Sequence, residues 1–427
     1  MKDIFRRALG LDYADDVPLD ADRRRGLSLM YWNAAYALFS EAAITNYTNV
    51  FLVALRASNA QIGLLSTATQ VFTALAPVPA AALAERTGAY KASVVVPNLI
   101  ARAGFLALIA LPFLQIGQNA IGIAIAIFGL RAFLASWSTA PWTAFVGKLV
   151  PLNIRANYFA ARNFIGGIAS IVGVLLSGQI ITALGYPVGF QVAFALSMIV
   201  GLGATFSFAR IPMKEERLES GGWRKRINLQ SLIPNLSSFS LKTNYGRFLI
   251  CSCALAFAVN IGGPFIGVFQ VKQLGFAAAT IGVLASLEQG VNIVMQRVYG
   301  SALIPRFGDF RVMRFLRFLT CLIPLAWALG IVNNPVTAIP VAILAGSIWS
   351  GHELANFNCL LAITPEDNRA SAIATYTFAV SMFTALGPAL GGVLTDIIGY
   401  QPLFAISAVL RVAAAVLLSV LVKRIEA

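Results

Sequence analysis

Long apolar runs bounded by charges, Gly or Pro recur along this chain, each close to the about 20 residues a helix needs to cross a roughly 30 Å hydrocarbon core. They cover 27–55, 59–83, 93–114, 119–147, 157–183, 187–209, 247–273, 278–303, 313–331, 335–361, 370–397 and 401–422. The runs are continuous, whereas a membrane β-barrel would show short segments of strict alternation, so the pattern predicts helices. An all-α integral membrane protein with twelve transmembrane helices is expected.

Composition narrows the class in the same direction. With 58% hydrophobic and 12% charged residues and a mean hydropathy of +0.76, too little polar surface remains for a soluble globule. A net charge of +14 would suit nucleic acid or anionic lipid, so its placement decides. Arg56 and Lys272 are the only basic residues at the breaks after odd-numbered runs. The positive-inside rule then places the termini and the 210–246 linker in the cytoplasm, so the charge reports topology and no nucleic-acid partner is expected. The N-terminal segment lacks a signal-peptide core and is expected to stay on; Ile4, Phe5, Ala8 and Leu9 opposite Arg6 and Arg7 suit either a short interfacial helix or a solvated tail. Cys251, Cys253, Cys321 and Cys359 all fall in runs as packing residues, and no metal or cofactor is expected.

One short hinge occurs twice. "AERTGAYK" at 84–91 and "IPRFGDFR" at 304–311 share Arg, one residue, Gly, two residues, basic, as Arg86, Gly88, Lys91 and Arg306, Gly308, Arg311. Other matches keep a similar offset: "QIGLLSTATQ" at 61–70 with "TIGVLASLEQ" at 280–289, and "GQIITALGYPVGF" at 178–190 with "GVLTDIIGYQPLF" at 392–404. "PLNIR" at 151–155 likewise pairs with "PEDNR" at 365–369. Near-constant offsets over most of the chain mean two parallel copies of a six-helix unit. Both hinge glycines are predicted to supply a positive φ, and the basic residues to face anionic headgroups or helix C-termini.

Six plus six helices, cytoplasmic ends and a charged central linker resemble the major facilitator superfamily over nearly all of 27–422. The superfamily signature Gly-x-Leu-Ala-Asp-Arg-x-Gly-x-x-Lys is approximated by "AALAERTGAYK", with Ala81 for the first Gly and Glu85 for Asp. The resemblance implies two pseudo-symmetric bundles, 27–209 and 247–422, between tails at 1–26 and 423–427. It also implies a gating role for Glu85, Arg86, Gly88, Lys91, Arg306, Gly308 and Arg311. "GPALGG" at 387–392 is similar to the family's antiporter motif but lies in the eleventh run, where close helix packing is the expected role.

Polar residues inside the runs are the site candidates, because an ionisable group costs several kcal/mol at mid-bilayer. Glu41 continues a stripe of Ala37, Thr45 and Thr48, and Arg131 a stripe of Ala135, Ser138 and Trp142. "LRAFLA" around Arg131 resembles the family's fourth-helix Arg motif, associated with proton coupling. A Glu41–Arg131 pair broken by protonation is one reading, and a permanent structural pair the other. Glu288, Asn292 and Gln296 recur at helical spacing, with Gln289 on the flank, and "WSGHELANFN" sets Trp349, Glu353 and Asn356 on one face beside His352. The proton-coupling candidates are Glu41, Arg131, Glu288, His352 and Glu353. The substrate-binding candidates are Trp142, Asn163, Asn260, Gln289, Asn292, Trp349, Asn356 and Tyr376. Arg102 is expected to project inward or meet a carbonyl, Arg317 and Arg411 to snorkel or pack closely, and Asp396 to lie at the outer interface.

No Gly-x-x-x-x-Gly-Lys-Ser/Thr loop occurs, so a gradient must supply the energy. The expected function is secondary transport of a small organic solute by alternating access, coupled to protons, by a monomer in a bacterial inner membrane. A transporter-like scaffold or receptor is the alternative. An enzyme is not expected, since no nucleophile and base cluster together.

Overall fold

A computed structural model describes residues 20–114, 117, 119–151, 153–212, 241–364 and 369–422. The proposed interfacial segment at 4–9, most of the linker, four residues of the 365–369 repeat and the last tail lie outside the described residues. Those described are helical, with no strand among them. In chain order the helices are α1 (Ala21–Thr45), α2 (Thr48–Ala54), α3 (Asn59–Leu75), α4 (Pro77–Thr87), α5 (Tyr90–Ala110), α6 (Asn119–Trp137), α7 (Thr139–Leu149), α8 (Arg155–Leu184) and α9 (Val188–Ala209). After the linker come α10 (Asn244–Asn260), α11 (Gly263–Lys272), α12 (Ala278–Val298), α13 (Ile304–Phe307), α14 (Asp309–Leu319), α15 (Leu322–Ala328), α16 (Pro335–Ile363), α17 (Arg369–Ile398) and α18 (Tyr400–Leu421).

Helix ends fall where local chemistry puts them. Gly88 takes φ 67 at the end of α4 and donates its N–H to Ala84 O (2.9 Å); Gly308 takes φ 81 after α13 and donates to Ile304 O (2.8 Å). Both hinges therefore use the conformation that only glycine adopts without strain. At the start of α16, Asn334 and Thr337 form a capping box around Pro335.

Nine helical stretches among the described residues are long and apolar enough to cross a bilayer by length and composition. Twelve runs were expected, and the other three are helical as well. They are α1, which opens on four charged residues; α14–α15, interrupted at Thr320 and Cys321; and α16, whose His352, Glu353 and Asn356 dilute its hydropathy. These three carry much of the site chemistry. Large apolar side chains coat the outside, among them Phe113, Ile397 and Val420 at 70%, 72% and 75% exposure, as lipid contact requires.

Two compact units form. Among the described residues, one comprises those of 20–47 and 75–212 and the other those of 48–74 and 241–422, so α2 and most of α3 pack within the second unit. In the first unit, α8 lies against α1 through small residues: a Cβ on Gly166 would overlap Leu38, and one on Gly173 would overlap the Phe39 carbonyl. Tyr47 and Tyr158 hydroxyls lock the same pair by donating to Val174 O (2.7 Å) and Leu27 O (2.9 Å). A buried cluster of Leu27, Met30, Phe145, Leu149, Tyr158 and Phe208 fills one end. In the second unit, Gly346 admits the Glu288 carbonyl, bringing α16 onto α12, and Gly351 admits Tyr299 and Leu316. The "GPALGG" glycines do pack closely: Gly387 and Gly391 meet the α10 end at Asn260 and Ile261, and Gly392 meets the Asn59 carbonyl of α3.

Candidate functional site

In the first unit, α1, α5 and α9 meet around a buried guanidinium. Arg102 (α5) donates from Nη1 to Ser40 Oγ (2.8 Å) and from Nε to Thr205 Oγ1 (3.2 Å). Ser40 and Ser197 hydroxyls each donate to the other's carbonyl at 2.7 Å, tying α1 to α9. Gly201 makes room, since a Cβ there would overlap the Arg102 guanidinium. Arg102 thus projects inward as expected, but meets hydroxyls rather than a carbonyl.

Arg131 (α6) donates to Ala101 O (2.7 Å) and lies over the Phe105 ring, 3.3 Å from its centroid. The expected pair with Glu41 does not form. Glu41 is exposed, its carboxylate has no hydrogen bond among the described residues, and its charge reaches Arg102 and Arg131 only through space. The physical reason is that the backbone acceptor and the aromatic face already occupy the Arg131 guanidinium. Nor does the Glu41 stripe continue as drawn, because α1 ends at Thr45 and Thr48 begins α2.

Beside Arg102 lies a cavity of about 250 Å³ lined by Asn33, Asn98, Arg102, Ser138, Trp142 and Arg162 among others. Asn33 donates to Ala204 O (2.9 Å), while Asn98 donates to Val94 O (2.8 Å) and Ser138 Oγ (2.9 Å), so the polar wall is held in place. The Arg162 guanidinium sits 4.9 Å from the Trp142 ring centroid, and its Nη1 makes only a long 3.4 Å bond to Asn163 Oδ1. Arg162 Nε is buried without a partner. Of the expected residues, Trp142 lines this cavity; Asn163 is exposed next to Arg162.

The second unit builds a denser network around an arginine that sequence reasoning left to snorkelling or packing. Arg317 (α14) is fully buried. Its Nη2 donates to Ser252 Oγ (3.1 Å) and Asn356 Oδ1 (3.0 Å), its Nη1 to Cys251 O (3.5 Å) and its Nε to His352 Nε2 (3.3 Å). Asn356 passes the chain on to the Tyr376 hydroxyl (3.0 Å), and Trp349 meets the His352 ring edge-to-face at 5.6 Å. Three expected residues, His352, Asn356 and Tyr376, are thus gathered by Arg317, which packs closely as one of its two expected roles but was not among the site candidates. In this contact His352 Nε2 is the acceptor of the guanidinium N–H.

The remaining candidates spread along their helices. Glu288 and Asn292 are half-buried on α12, Gln289 and Glu353 are exposed, and Asn260 donates to its own helix at Ala256 O (2.8 Å). Arg411 packs closely, the second of its two expected roles, at 2% exposure, and donates to Thr320 O (2.8 Å) and Val259 O (3.4 Å). Asp396 takes on a defined task in this unit: its carboxylate accepts from Asn59 Nδ2 (2.8 Å) and Ala60 N (3.0 Å), capping α3. Lys272 Nζ donates to Ala57 O (3.0 Å) and Tyr400 OH to Asn59 Oδ1 (2.7 Å) at the same place. At the hinges, Glu85, Arg86, Arg306 and Arg311 are exposed, and Lys91 donates to Ile211 O (3.0 Å).

Asn33, Ser40, Asn98, Arg162 and Ser197 were missed from the sequence. The legible signal was a polar or charged residue inside an apolar run, which Arg162 meets at the start of the fifth. Among the described residues no cluster of three or more metal-ligating side chains occurs.

The helical architecture is that of a membrane transporter fold, and the comparisons place it in a family. The Major Facilitator Superfamily profile matches residues 27–361 and 354–427, and the chain belongs to that family. Comparison with curated proteins returns no match. Among solved structures the chain is similar to a bacterial homologue of the iron transporter ferroportin in an inward-facing state, with a TM-score of 0.72, 12% identity and coverage of 94% of this chain and 99% of that one. It is also similar to a bacterial homologue of the human lysosomal transporter Spinster (0.70, 14%, 93% and 96%) and to the nucleoside transporter NupG (0.66, 17%, 95% and 100%). At such identities these likenesses concern the fold.

Proposed function

We propose that this major facilitator protein is a secondary active transporter that moves a small organic solute by alternating access and couples it to protons. One observation carries the reading. The Glu41 carboxylate is exposed and unbonded among the described residues, while Arg102 and Arg131 of the same unit are buried and bonded to neutral partners. Protonation therefore changes the charge balance of the first unit without breaking a hydrogen bond, as a reversible proton carrier needs. Glu288 and Glu353 take the same part in the second unit. Arg131 and His352 complete the proton-coupling set, His352 as an acceptor of the Arg317 guanidinium.

In this reading the solute-binding candidates are Trp142 and Asn163 in the first unit, and Asn260, Gln289, Asn292, Trp349, Asn356 and Tyr376 in the second. The hinges built by Glu85, Arg86, Gly88 and Lys91 and by Arg306, Gly308 and Arg311 gate the cytoplasmic side. The protein works as a monomer in a bacterial cytoplasmic membrane, with both termini inside.

The test is uptake into proteoliposomes under an imposed pH gradient, using a solute that stabilises the purified protein. Glu41→Gln is expected to abolish accumulation while leaving solute exchange across the membrane intact. Unchanged accumulation overturns the coupling role. Folded protein that neither accumulates nor exchanges any solute overturns the transporter reading in favour of a scaffold.

A further inference from the structure

We infer that the transported solute carries a negative charge, a carboxylate or phosphate, and that its anionic end is held in the first-unit cavity by Arg162 and Arg102. This rests on the transporter reading above. The cavity wall presents two guanidiniums and no carboxylate. Glu41, the acid whose charge reaches Arg102, is not among the lining residues.

The two arginines differ in how much of their hydrogen-bonding capacity the protein uses. Arg102 meets only the neutral hydroxyls of Ser40 and Thr205. Arg162 has one long bond to Asn163 and a buried Nε with no partner. A guanidinium offers five donors in a fork that matches carboxylate and phosphate oxygens in pairs, so Arg162 is built to complete its set on an incoming anion. Trp142 supports the fork from one face, fixing its plane without supplying a counter-charge. Asn98 and Ser138, already bonded to each other, stand on the same wall. At about 250 Å³ the space falls just below the usual range for drug-sized ligands, which fits a compact anion or the charged end of a longer one.

The second unit supplies the control. Arg317 has the same charge and deeper burial, but His352, Asn356, Ser252 and the Cys251 carbonyl take up its donors. It has little left to offer a ligand.

The experiment uses the purified full-length protein in detergent at constant ionic strength and reads the unfolding midpoint with benzoate, glutarate and glycerol 3-phosphate. Glycerol and choline serve as neutral and cationic counterparts, and short-chain phosphatidylglycerol as a lipid headgroup. The inference expects at least one small anion to raise the midpoint, with glycerol and choline inert. Arg162→Ala should weaken that anion by roughly tenfold or more, and Arg162→Lys by less, because charge remains while the fork is lost. Stabilisation by the neutral or cationic probe alone, or an anion response unchanged in Arg162→Ala, overturns the anion assignment and leaves the transporter reading standing. Response to phosphatidylglycerol alone makes the cavity a headgroup site and overturns it too. Silence to every anion at millimolar concentration contradicts it directly; uptake of an uncharged solute by the same preparation then shows that only the charge assignment failed.

Discussion

The two units solve one problem with arginines drawn from different helices. The repeat that sets 178–190 on 392–404 places Ser197 opposite Arg411, and the one that sets 61–70 on 280–289 carries Ser40 onto Val259. In the first unit the Ser40–Ser197 junction receives its guanidinium from α5, as Arg102. In the second, Arg411 comes from α18 and reaches Val259 O and Thr320 O. What the duplication preserves is a place where a cation is buried against helix backbones and hydroxyls; which helix supplies it has drifted. The consequence is functional, since the first unit keeps a cavity beside its arginine and a second, under-satisfied guanidinium in the cavity wall. The second unit closes its central arginine inside a network.

That contrast is broken most severely at Arg317. Arg317→Ala would leave Ser252, Asn356 and the Cys251 carbonyl without their donor in a buried site, and each buried acceptor left unsatisfied costs about 1–3 kcal/mol. Loss of a monodisperse peak, or a steep fall in the unfolding midpoint, is the expected result.

A smaller effect sharpens the other side. Gly201→Ala drives a methyl into the Arg102 guanidinium, and overpacking of this kind costs about 1–3 kcal/mol. Thermal unfolding should show the loss, and anion binding should weaken with it, because Arg102 is displaced from Ser40 and the cavity wall. An unperturbed midpoint would mean that Arg102 has another place to go.

The fold was largely legible before the structure. Apolar runs about 20 residues long report spans directly, because the bilayer sets their length. The paired hinges were legible for a comparable reason: only glycine takes the φ of 67 and 81 found at positions 88 and 308 without strain. The site was less so. Arg317 finds its partners 65, 35 and 39 residues away, at Ser252, His352 and Asn356, and no periodicity within one helix announces contacts across three. Placing Glu41 against Arg131 failed for the same reason, as Ala101 and Phe105 on α5 were competing partners invisible from the stripes on α1 and α6. Arg162, at the start of the fifth run, was not considered, and its place against Trp142 and the cavity depends on contacts that its own helix does not announce.

The claim that one unit's arginine is offered to a ligand and the other's is locked into the fold is tested most directly by melting Arg162→Ala and Arg317→Ala side by side without solute. Arg162 has one long hydrogen bond and an unpartnered Nε, so its removal should cost far less stability than that of Arg317, whose loss collapses the fold. Equal destabilisation of the two variants would contradict the account, because it would make Arg162 as much a part of the scaffold as Arg317.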